Sequence, residues 1–260
     1  MQKIMKTTKS PIKTSGESTT LKHFRLDCAA LSAAGAGRPR NEDHIVFAAP
    51  GDPAAEQANA GYLFAVADGE TAPGIRLSAS RETCTSLLEV LDDPRRTELR
   101  PDLMLHRLHD ANDRCHSVIE SRCAATALWL WEDPQRPALV AAWAHVGHTR
   151  LYHHAHGEWK RLTRDHAKGR LLDRAVGQGP GLEIETGQKM IHPGERLALV
   201  TAGVWRTSPP GSAISSRAFP ATSEAVRRLV GQARLNGSRD DTTAIVIAVR
   251  RGDEDPEPEH

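Results

Sequence analysis

The sequence lacks the features of several large protein classes. No run of about 18 apolar residues is present, so we expect no membrane-spanning helix. The first 20 residues contain no apolar core of the kind found in signal peptides. The net charge of +1 leaves no basic excess for general binding of nucleic acids or membrane surfaces. We therefore expect a cytoplasmic, monomeric protein that has neither nucleic acid nor membrane as a partner.

Cysteine is scarce and is not spaced for metal or redox chemistry. The four cysteines form no Cys-x-x-Cys pair, which is the spacing typical of zinc ribbons and redox dithiols. Buried free thiols in a reducing compartment are their expected state. They are Cys28, Cys84, Cys115 and Cys123.

Short apolar segments alternate with helical ones between two polar ends. Residues 1–20 and 251–260 are predicted to be a disordered tail and a charged tail, and residues 21–250 to form one domain. Helical spacing predicts helices within GIRLSASRETCTSLLEVLDD, around Met104 to Val118, and within SEAVRRLVGQAR. Strands are predicted at HFRLDCAAL, HIVFAA, YLFAVAD, TALWLW, ALVAAWAHVG, TRLYHHA, EWKRLT, RLALVTAG and TTAIVIAVR.

The grouping of these segments predicts an α+β fold. Strands follow one another in meanders and helices come in pairs, which disfavours a parallel sheet built from βαβ units. LFAVA and AIVIAV are almost continuously apolar, so both faces of these strands should be buried. Two stacked antiparallel β-sheets flanked by helix pairs, an α/β/β/α sandwich, would bury both faces.

Carboxylates stand at the ends of three of the apolar strands. They are Glu42 and Asp43 before HIVF, Asp68 after YLFAVA, and Asp240 and Asp241 before TTAIVIAV. If these strand ends converge, the acids repel one another unless a divalent cation lies among them. A set of oxygen ligands suits Mg²⁺ or Mn²⁺ better than Zn²⁺. Alternatively, each acid is an ordinary turn or capping residue.

Seven segments resemble, in order, the motifs of metal-dependent protein phosphatases of the protein phosphatase 2C (PPM) family. They are GRPRNEDHIVF, YLFAVADGE, AHVGHTRLY, LTRDH, LLDRAVG, HPGERLALVTAGVW and GSRDDTTAIVIAV. The resemblance covers roughly residues 22 to 250 and is greatest to the bacterial single-domain branch. It implies two central antiparallel sheets flanked by helix pairs, in agreement with the fold predicted above.

The resemblance also implies a site for two metal ions. Asp68 resembles the carboxylate that bridges both ions. Glu42 and the Gly69 carbonyl would complete one side, and Asp240 would serve the other. Asp43 would hold a metal-bound water from behind the ligands.

The same resemblance implies a reaction. Arg38 stands where the family has its phosphate-binding arginine, and a planar guanidinium can grip two phosphoryl oxygens. The implied activity is hydrolysis of phosphoserine or phosphothreonine in proteins by a water that Mn²⁺ or Mg²⁺ activates. The implied partner is a phosphorylated protein, the target of a Ser/Thr kinase.

Three residues depart from the family pattern. Ala202 in TAGVW replaces an aspartate that serves the same ion as Asp240, which predicts a weak second metal site and weakened hydrolysis. His148 stands where an aspartate for a third metal is common and is a possible extra ligand, more acceptable to Mn²⁺ than to Mg²⁺. Glu70 stands where some relatives have a general-acid histidine.

Two explanations of Ala202 are open: a natural variant, and an engineered Asp→Ala change that silences the enzyme. A catalytically inactive pseudophosphatase that binds phosphoproteins, or acts as a regulatory scaffold, is the alternative to an active enzyme. A further alternative is a zinc site at His145 and His148 with a third residue. Ordinary solvated histidines of a strand and a turn are the simpler interpretation of that segment.

Overall fold

In the computed structural model, strands follow one another in groups that pairs and sets of helices separate. The model describes residues 17–20, 23–48, 61–70, 78–96, 98, 100–169, 171–213 and 221–252. The strands within them are β1 (Glu17–Thr20), β2 (Phe24–Ala33), β3 (His44–Ala48), β4 (Tyr62–Glu70), β5 (Arg122–Glu132), β6 (Leu139–Val146), β7 (Arg150–Ala155), β8 (Glu158–Arg161), β9 (Ala167–Lys168), β10 (Leu171–Leu172), β11 (Glu185–Ile191), β12 (Arg196–Val200) and β13 (Thr242–Arg251).

The α-helices within the same residues are α1 (Ala79–Leu88), α2 (Arg100–Arg114), α3 (Ala202–Trp205), α4 (Pro210–Ala213) and α5 (Thr222–Leu235). A 3₁₀ turn, Glu89–Asp92, follows α1, and a π-helical turn, Cys115–Ile119, extends α2. The three helices predicted from spacing are therefore confirmed. Among the described residues, no helix is both long and apolar enough to cross a membrane.

The strands form two antiparallel sheets and a small hairpin. One sheet has the order β1-β2-β13-β12-β7-β8, and the other has the order β11-β6-β5-β4-β3. The hairpin consists of β9 and β10, and every pairing among the described strands is antiparallel. The prediction of an α+β fold with two stacked antiparallel sheets is confirmed.

Both faces of the central strands are buried, as their apolar runs predict. In β4, Tyr62, Phe64 and Val66 pack into the core between the two sheets. The alternate residues Leu63 and Ala65 pack into a second core that α1 and α2 cover. Successive side chains of a strand point to opposite faces, so an uninterrupted apolar run supplies both cores at once.

The third core lies on the outer face of the other sheet, beneath α5. Ala225, Val226, Leu229 and Val230 are buried there against residues of β13 and β12. Their spacing of one, three and four residues places them on one side of the helix. The order of layers is therefore helix, sheet, sheet, helix.

The edge strand β1 corrects the predicted N-terminal tail. Residues 17–20 were expected to be disordered, but Glu17–Thr20 pair antiparallel with β2. Strand pairing uses backbone N–H and C=O groups, so a polar Ser/Thr segment can extend a sheet edge without an apolar pattern. At the other end, β13 includes Arg251. Residues 1–16 and 253–260 lie outside the described residues.

The cysteines are as expected. All four are buried and none is bridged. Burial raises the pKa of the Cys84 thiol to about 12 and that of Cys115 to about 12. These thiols stay protonated at neutral pH and behave as small apolar residues.

Candidate metal centre

Asp241 ties the loop before β3 to the start of β13. Its Oδ1 accepts the backbone N–H of Gly35 at 2.7 Å, and its Oδ2 accepts that of Glu42 at 2.8 Å. A single buried carboxylate thus positions the segment that carries Glu42. The family resemblance assigns no role to Asp241. The position of Asp241 directly after Asp240 could have indicated such a role. Adjacent residues of an extended chain point to opposite sides, so when one acid faces the cleft the other faces away from it.

Arg38 joins carboxylates that come from two separate parts of the chain. Its Nη2 lies 3.0 Å from Asp240 Oδ1, and its Nη1 lies 3.4 Å from Asp241 Oδ2 and 3.8 Å from Glu42 Oε2. Partial burial lowers the pKa of Arg38, but the charges of these acids and Asp68 outweigh it and raise that pKa overall. The structure therefore brings Arg38, Glu42 and Asp240 together.

Asp68 lies on β4 where that strand reaches the same cleft. Its side chain is 18 % exposed, and its Oδ2 accepts the backbone N–H of Ala202 at 3.1 Å. Burial raises the pKa of Asp68 to about 6, and the charges of Asp240 and Asp241 add to the rise, although the Ala202 hydrogen bond and Arg206 oppose it. The negative charge of Asp68 is therefore unfavourable without a counter-charge, and a bound cation would supply one.

Gly69 allows β4 to pack against the backbone of Glu42. A Cβ atom on Gly69 would lie 2.8 Å from the Glu42 carbonyl oxygen and 2.9 Å from Ser80 Oγ. Ser80 donates a hydrogen bond from its hydroxyl to that same carbonyl at 2.5 Å. The close approach of β4 to Glu42 therefore requires glycine at position 69.

Asp43 is fully buried behind the cleft and is only half satisfied. Its Oδ2 accepts hydrogen bonds from Thr201 Oγ1 at 2.8 Å and from Thr243 Oγ1 at 2.6 Å. Its Oδ1 has no hydrogen-bond partner among the described residues. Burial, with the charge of Asp68, holds the pKa of Asp43 well above its usual range. An unpaired buried carboxylate oxygen is costly, and a water held by a nearby cation would satisfy it.

His148 faces Asp68 from the turn after β6. Its Nδ1 lies 3.8 Å from Asp68 Oδ2, too far for a hydrogen bond, and has no such partner within the described part of the chain. Burial lowers the pKa of His148 to about 4, and the charge of Arg206 adds to this, so the imidazole is neutral. The ring is thus placed beside the acids with a nitrogen available, and Glu70 is exposed at the end of β4.

The two histidines of the zinc alternative have different neighbours. His148 lies beside Asp68, whereas His145 belongs to a group with His166 and Glu185 whose possible ligand atoms lie within 4.8 Å of one another. The nitrogens of His145 are already in use. Nε2 donates to the Arg164 carbonyl at 2.9 Å, since a carbonyl can only accept.

The remaining nitrogens of this histidine group are also occupied. Nδ1 of His145 accepts from the Thr126 hydroxyl at 2.9 Å. His166 Nδ1 accepts the Gly147 N–H at 3.3 Å, and its Nε2 lies 3.3 Å from Glu185 Oε2. Burial lowers the pKa of His145 to about 3, so its ring is neutral. This group is a closed hydrogen-bond network, in which zinc would have to break existing contacts.

Carboxylates on both sides of the cleft contact arginines. Glu42 lies 3.5 Å from Arg40 Nε and 3.8 Å from Arg38 Nη1. The oxygens of Glu42 and Asp68 are hard donors of the kind that Mg²⁺ and Mn²⁺ bind. On the other side, Asp240 is engaged by Arg38 at 3.0 Å and by Arg206 at 3.5 Å. Ala202 adds no carboxylate to that side.

The chain has solved structural relatives, although it matches no protein-family model and no curated protein sequence. The PPM Ser-Thr phosphatase MsPP from Mycobacterium smegmatis, in complex with cacodylate, is 25% identical, with a TM-score of 0.63 over 85% of this chain and 97% of that one. PppA of Pseudomonas aeruginosa, described as a key regulatory component of T6SS, is 23% identical, with a TM-score of 0.66 over 90% and 100%.

A third solved structure contains metal. The catalytic domain of the serine/threonine phosphatase PstP in complex with two manganese ions is 22% identical, with a TM-score of 0.67 over 87% of this chain and 99% of that one. The chain therefore has the fold of the bacterial PPM-type serine/threonine phosphatases, as its ordered motifs indicate.

Proposed function

We propose that this protein is a metal-dependent serine/threonine protein phosphatase that holds one Mn²⁺ or Mg²⁺ ion firmly. The observation that carries the proposal is the cleft of Arg38, Glu42, Asp68 and Asp240, built from three parts of the chain on a phosphatase fold. A mainly structural cluster would pair its acids with bases. Here Asp68 keeps a raised pKa and Asp43 keeps an unpaired oxygen.

The side chains of Glu42 and Asp68 and the carbonyl of Gly69 would hold the ion. When bound, a divalent cation stabilises charge on phosphoryl oxygens and lowers the pKa of a coordinated water. Asp43 would orient that water. Its Oδ2 is held by the hydroxyls of Thr201 and Thr243, which leaves Oδ1 to accept a hydrogen bond from the water.

Arg38 would bind the substrate phosphoryl group. Its side chain is 37% exposed at the mouth of the cleft, and its contacts with Asp240 and Asp241 hold the guanidinium in place. A guanidinium has five N–H donors, so it can keep those contacts and still donate to phosphoryl oxygens. Its fixed positive charge would stabilise the negative charge that these oxygens carry during transfer.

The proposed substrate is a protein that carries phosphoserine or phosphothreonine, the product of a Ser/Thr kinase. The proposed compartment is the cytoplasm. The names of PstP and MsPP support this class, since both are serine/threonine phosphatases. His148 is a candidate additional ligand, because its neutral ring lies beside Asp68 with Nδ1 available.

A binding-only pseudophosphatase is the second candidate. The observation that favours it is the engagement of Asp240 by two arginines next to Ala202, which leaves little room for a second ion. Retention of a phosphopeptide by the unaltered protein in Mn²⁺, without release of phosphate, would support this candidate over an active enzyme.

Replacing Asp68 by asparagine tests the proposed function. The change keeps the shape of the side chain and removes the charge that the ion needs. We expect Asp68→Asn to lower Mn²⁺ affinity by at least about a hundredfold, because loss of a direct anionic ligand should cost at least as much as loss of a residue that only supports a ligand. The change should also abolish phosphate release from a phosphothreonine peptide. Calorimetric titration and a phosphate assay measure the two effects.

The matched control is Asp102→Asn. Asp102 is an exposed residue in the first turn of α2, on the outer side of the molecule. This variant should bind Mn²⁺ and turn over substrate like the parent. Full activity of the Asp68→Asn variant at saturating Mn²⁺ would contradict the proposed site.

A further inference from the structure

Arg206 lies where the acidic cleft lacks a carboxylate. Its Nη1 is 3.5 Å from Asp240 Oδ2, while the other oxygen of Asp240 meets Arg38. Arg206 follows Ala202 by four residues at the end of the short helix α3, and its backbone N–H donates to the Ala202 carbonyl at 3.2 Å. Because they are one helical turn apart, Ala202 and the positive charge of Arg206 lie at the same corner of the cleft.

Other contacts hold Arg206 in this position. Its Nη2 donates to the Gly169 carbonyl in the β9–β10 hairpin at 3.4 Å, and its guanidinium lies 5.3 Å from the centre of the Trp205 ring. Trp205 is itself fixed, because its Nε1 donates to the His148 carbonyl at 2.8 Å. The Arg206 side chain is only 20 % exposed. These contacts distinguish it from a mobile surface arginine.

The position of the Arg206 guanidinium, 3.5 Å from Asp240 Oδ2, bears on any ion on this side of the cleft. A guanidinium at this distance from Asp240 would repel a divalent ion placed between Asp240 and Asp68. On this side of the cleft, Asp240 is thus contacted by two guanidinium groups, and position 202 is an alanine.

We propose that the Arg206 guanidinium takes the place of a second metal ion, so that one divalent cation and Arg206 together neutralise the acids of the cleft. The proposal deepens the proposed function and rests on it. Arg206 is fixed and needs no ion to be present, so it would leave the chain dependent on a single site at Glu42 and Asp68. With Arg38, it would present two guanidinium groups to a phosphoryl group on the Asp240 side.

Paired substitutions at positions 202 and 206 test this assignment. By titration with Mn²⁺ alone, the unaltered protein should bind one ion. Ala202→Asp should still bind one, because the new carboxylate can pair with Arg206 one helical turn away. The double variant Ala202→Asp with Arg206→Ala should bind a second ion. Its affinity for that ion should exceed those of the unaltered protein and of Ala202→Asp by at least about tenfold, a difference of about 1.4 kcal/mol.

Two matched controls separate charge from side-chain loss. Ala202→Asp with Arg206→Lys keeps the positive charge and should bind one ion. Ala202→Asp with Arg227→Ala removes an exposed arginine that pairs with Glu224 on α5 and should also bind one. Far-ultraviolet circular dichroism and thermal unfolding verify that each variant is folded.

The contrary results are also defined. Two ions bound with affinities within tenfold of each other in the unaltered protein would overturn the proposal, as would a second ion gained by Ala202→Asp alone. Anomalous scattering from crystals soaked in Mn²⁺ gives a test that needs no variant. One peak beside Glu42 and Asp68 is expected, and a peak between Asp68 and Asp240 would overturn the assignment. One bound ion without phosphate release would contradict the proposed function while supporting the role of Arg206.

Discussion

Asp68 is a residue whose native environment opposes its charge. Burial and neighbouring acids raise its pKa from 3.8 to about 6. Compared with the unfolded chain, the folded protein therefore favours the protonated form of Asp68. Ionisation of Asp68 lowers the free energy of unfolding. This loss is absent below about pH 4, grows as the pH rises, and is complete above about pH 6. A shift of this size corresponds to on the order of 3 kcal/mol.

Without metal, Asp68→Asn should therefore stabilise the fold at neutral pH. The amide oxygen can still accept the Ala202 N–H, and the unfavourable charge is gone. We expect the free energy of unfolding to rise by on the order of 1–3 kcal/mol at about pH 7.5 and the gain to vanish near pH 4. Denaturant unfolding in EDTA measures it. A variant less stable than the parent at pH 7.5 would mean that Asp68 serves the fold and that its environment has been misjudged.

At the scale of elements, the site depends on how closely β4 approaches the loop before β3. Gly69 is the contact point, since a Cβ atom there would lie 2.8 Å from the Glu42 carbonyl oxygen. A Cβ atom at position 69 would force either β4 or the loop before β3 to move, because both are held by hydrogen bonds. The loop, which Asp241 holds, would move and would carry the Glu42 side chain with it.

Gly69→Ala should lower Mn²⁺ affinity by about tenfold or more, an effect of at least about 1.4 kcal/mol. The control is Gly231→Ala in α5, where a Cβ atom meets nothing within 4 Å. That change should leave Mn²⁺ binding unaltered and stabilise the helix by roughly 0.5–1 kcal/mol. Titration calorimetry and thermal unfolding of both variants give the comparison. Unchanged Mn²⁺ affinity in Gly69→Ala would mean that the position of the loop before β3 does not affect ion binding.

At the scale of the whole molecule, the proposed centre joins the two sheets. Asp68 comes from β4 in one sheet, Asp240 lies just before β13 in the other, and Glu42 lies in the connection from β2 to β3. A ligand that binds only the folded protein stabilises it by mass action. An ion at this position would therefore stabilise both sheets together.

Mn²⁺ at a hundred times its dissociation constant should raise the free energy of unfolding by about 2.7 kcal/mol. Amide hydrogen exchange should slow in β4 and in β13 alike, because global opening becomes rarer. The same Mn²⁺ concentration should stabilise Asp68→Asn by no more than about 0.4 kcal/mol, because the affinity of this variant is lower by about a hundredfold or more. Protection confined to one sheet would place the ion away from the junction between them.

The layers of this protein and the strand-end positions of its acids follow from patterns in the sequence alone. Alternation in YLFAVAD supplies two cores from one strand, and helical spacing in SEAVRRLVGQAR supplies one buried face, because side-chain direction follows from local backbone geometry. The acids at strand ends were visible for the same reason. Ordered motifs then indicated the phosphatase fold, which the solved structures share.

Which of these groups meet one another depends on the tertiary structure. It pairs the polar segment Glu17–Thr20 with β2 and holds Asp241 against the loop before β3. It also gives His145 and His148 different neighbours and sets Arg206 against Asp240. Such contacts join residues distant in sequence, and their distances depend on how the sheets stack and where loops return. No local pattern of apolar or charged residues carries that information.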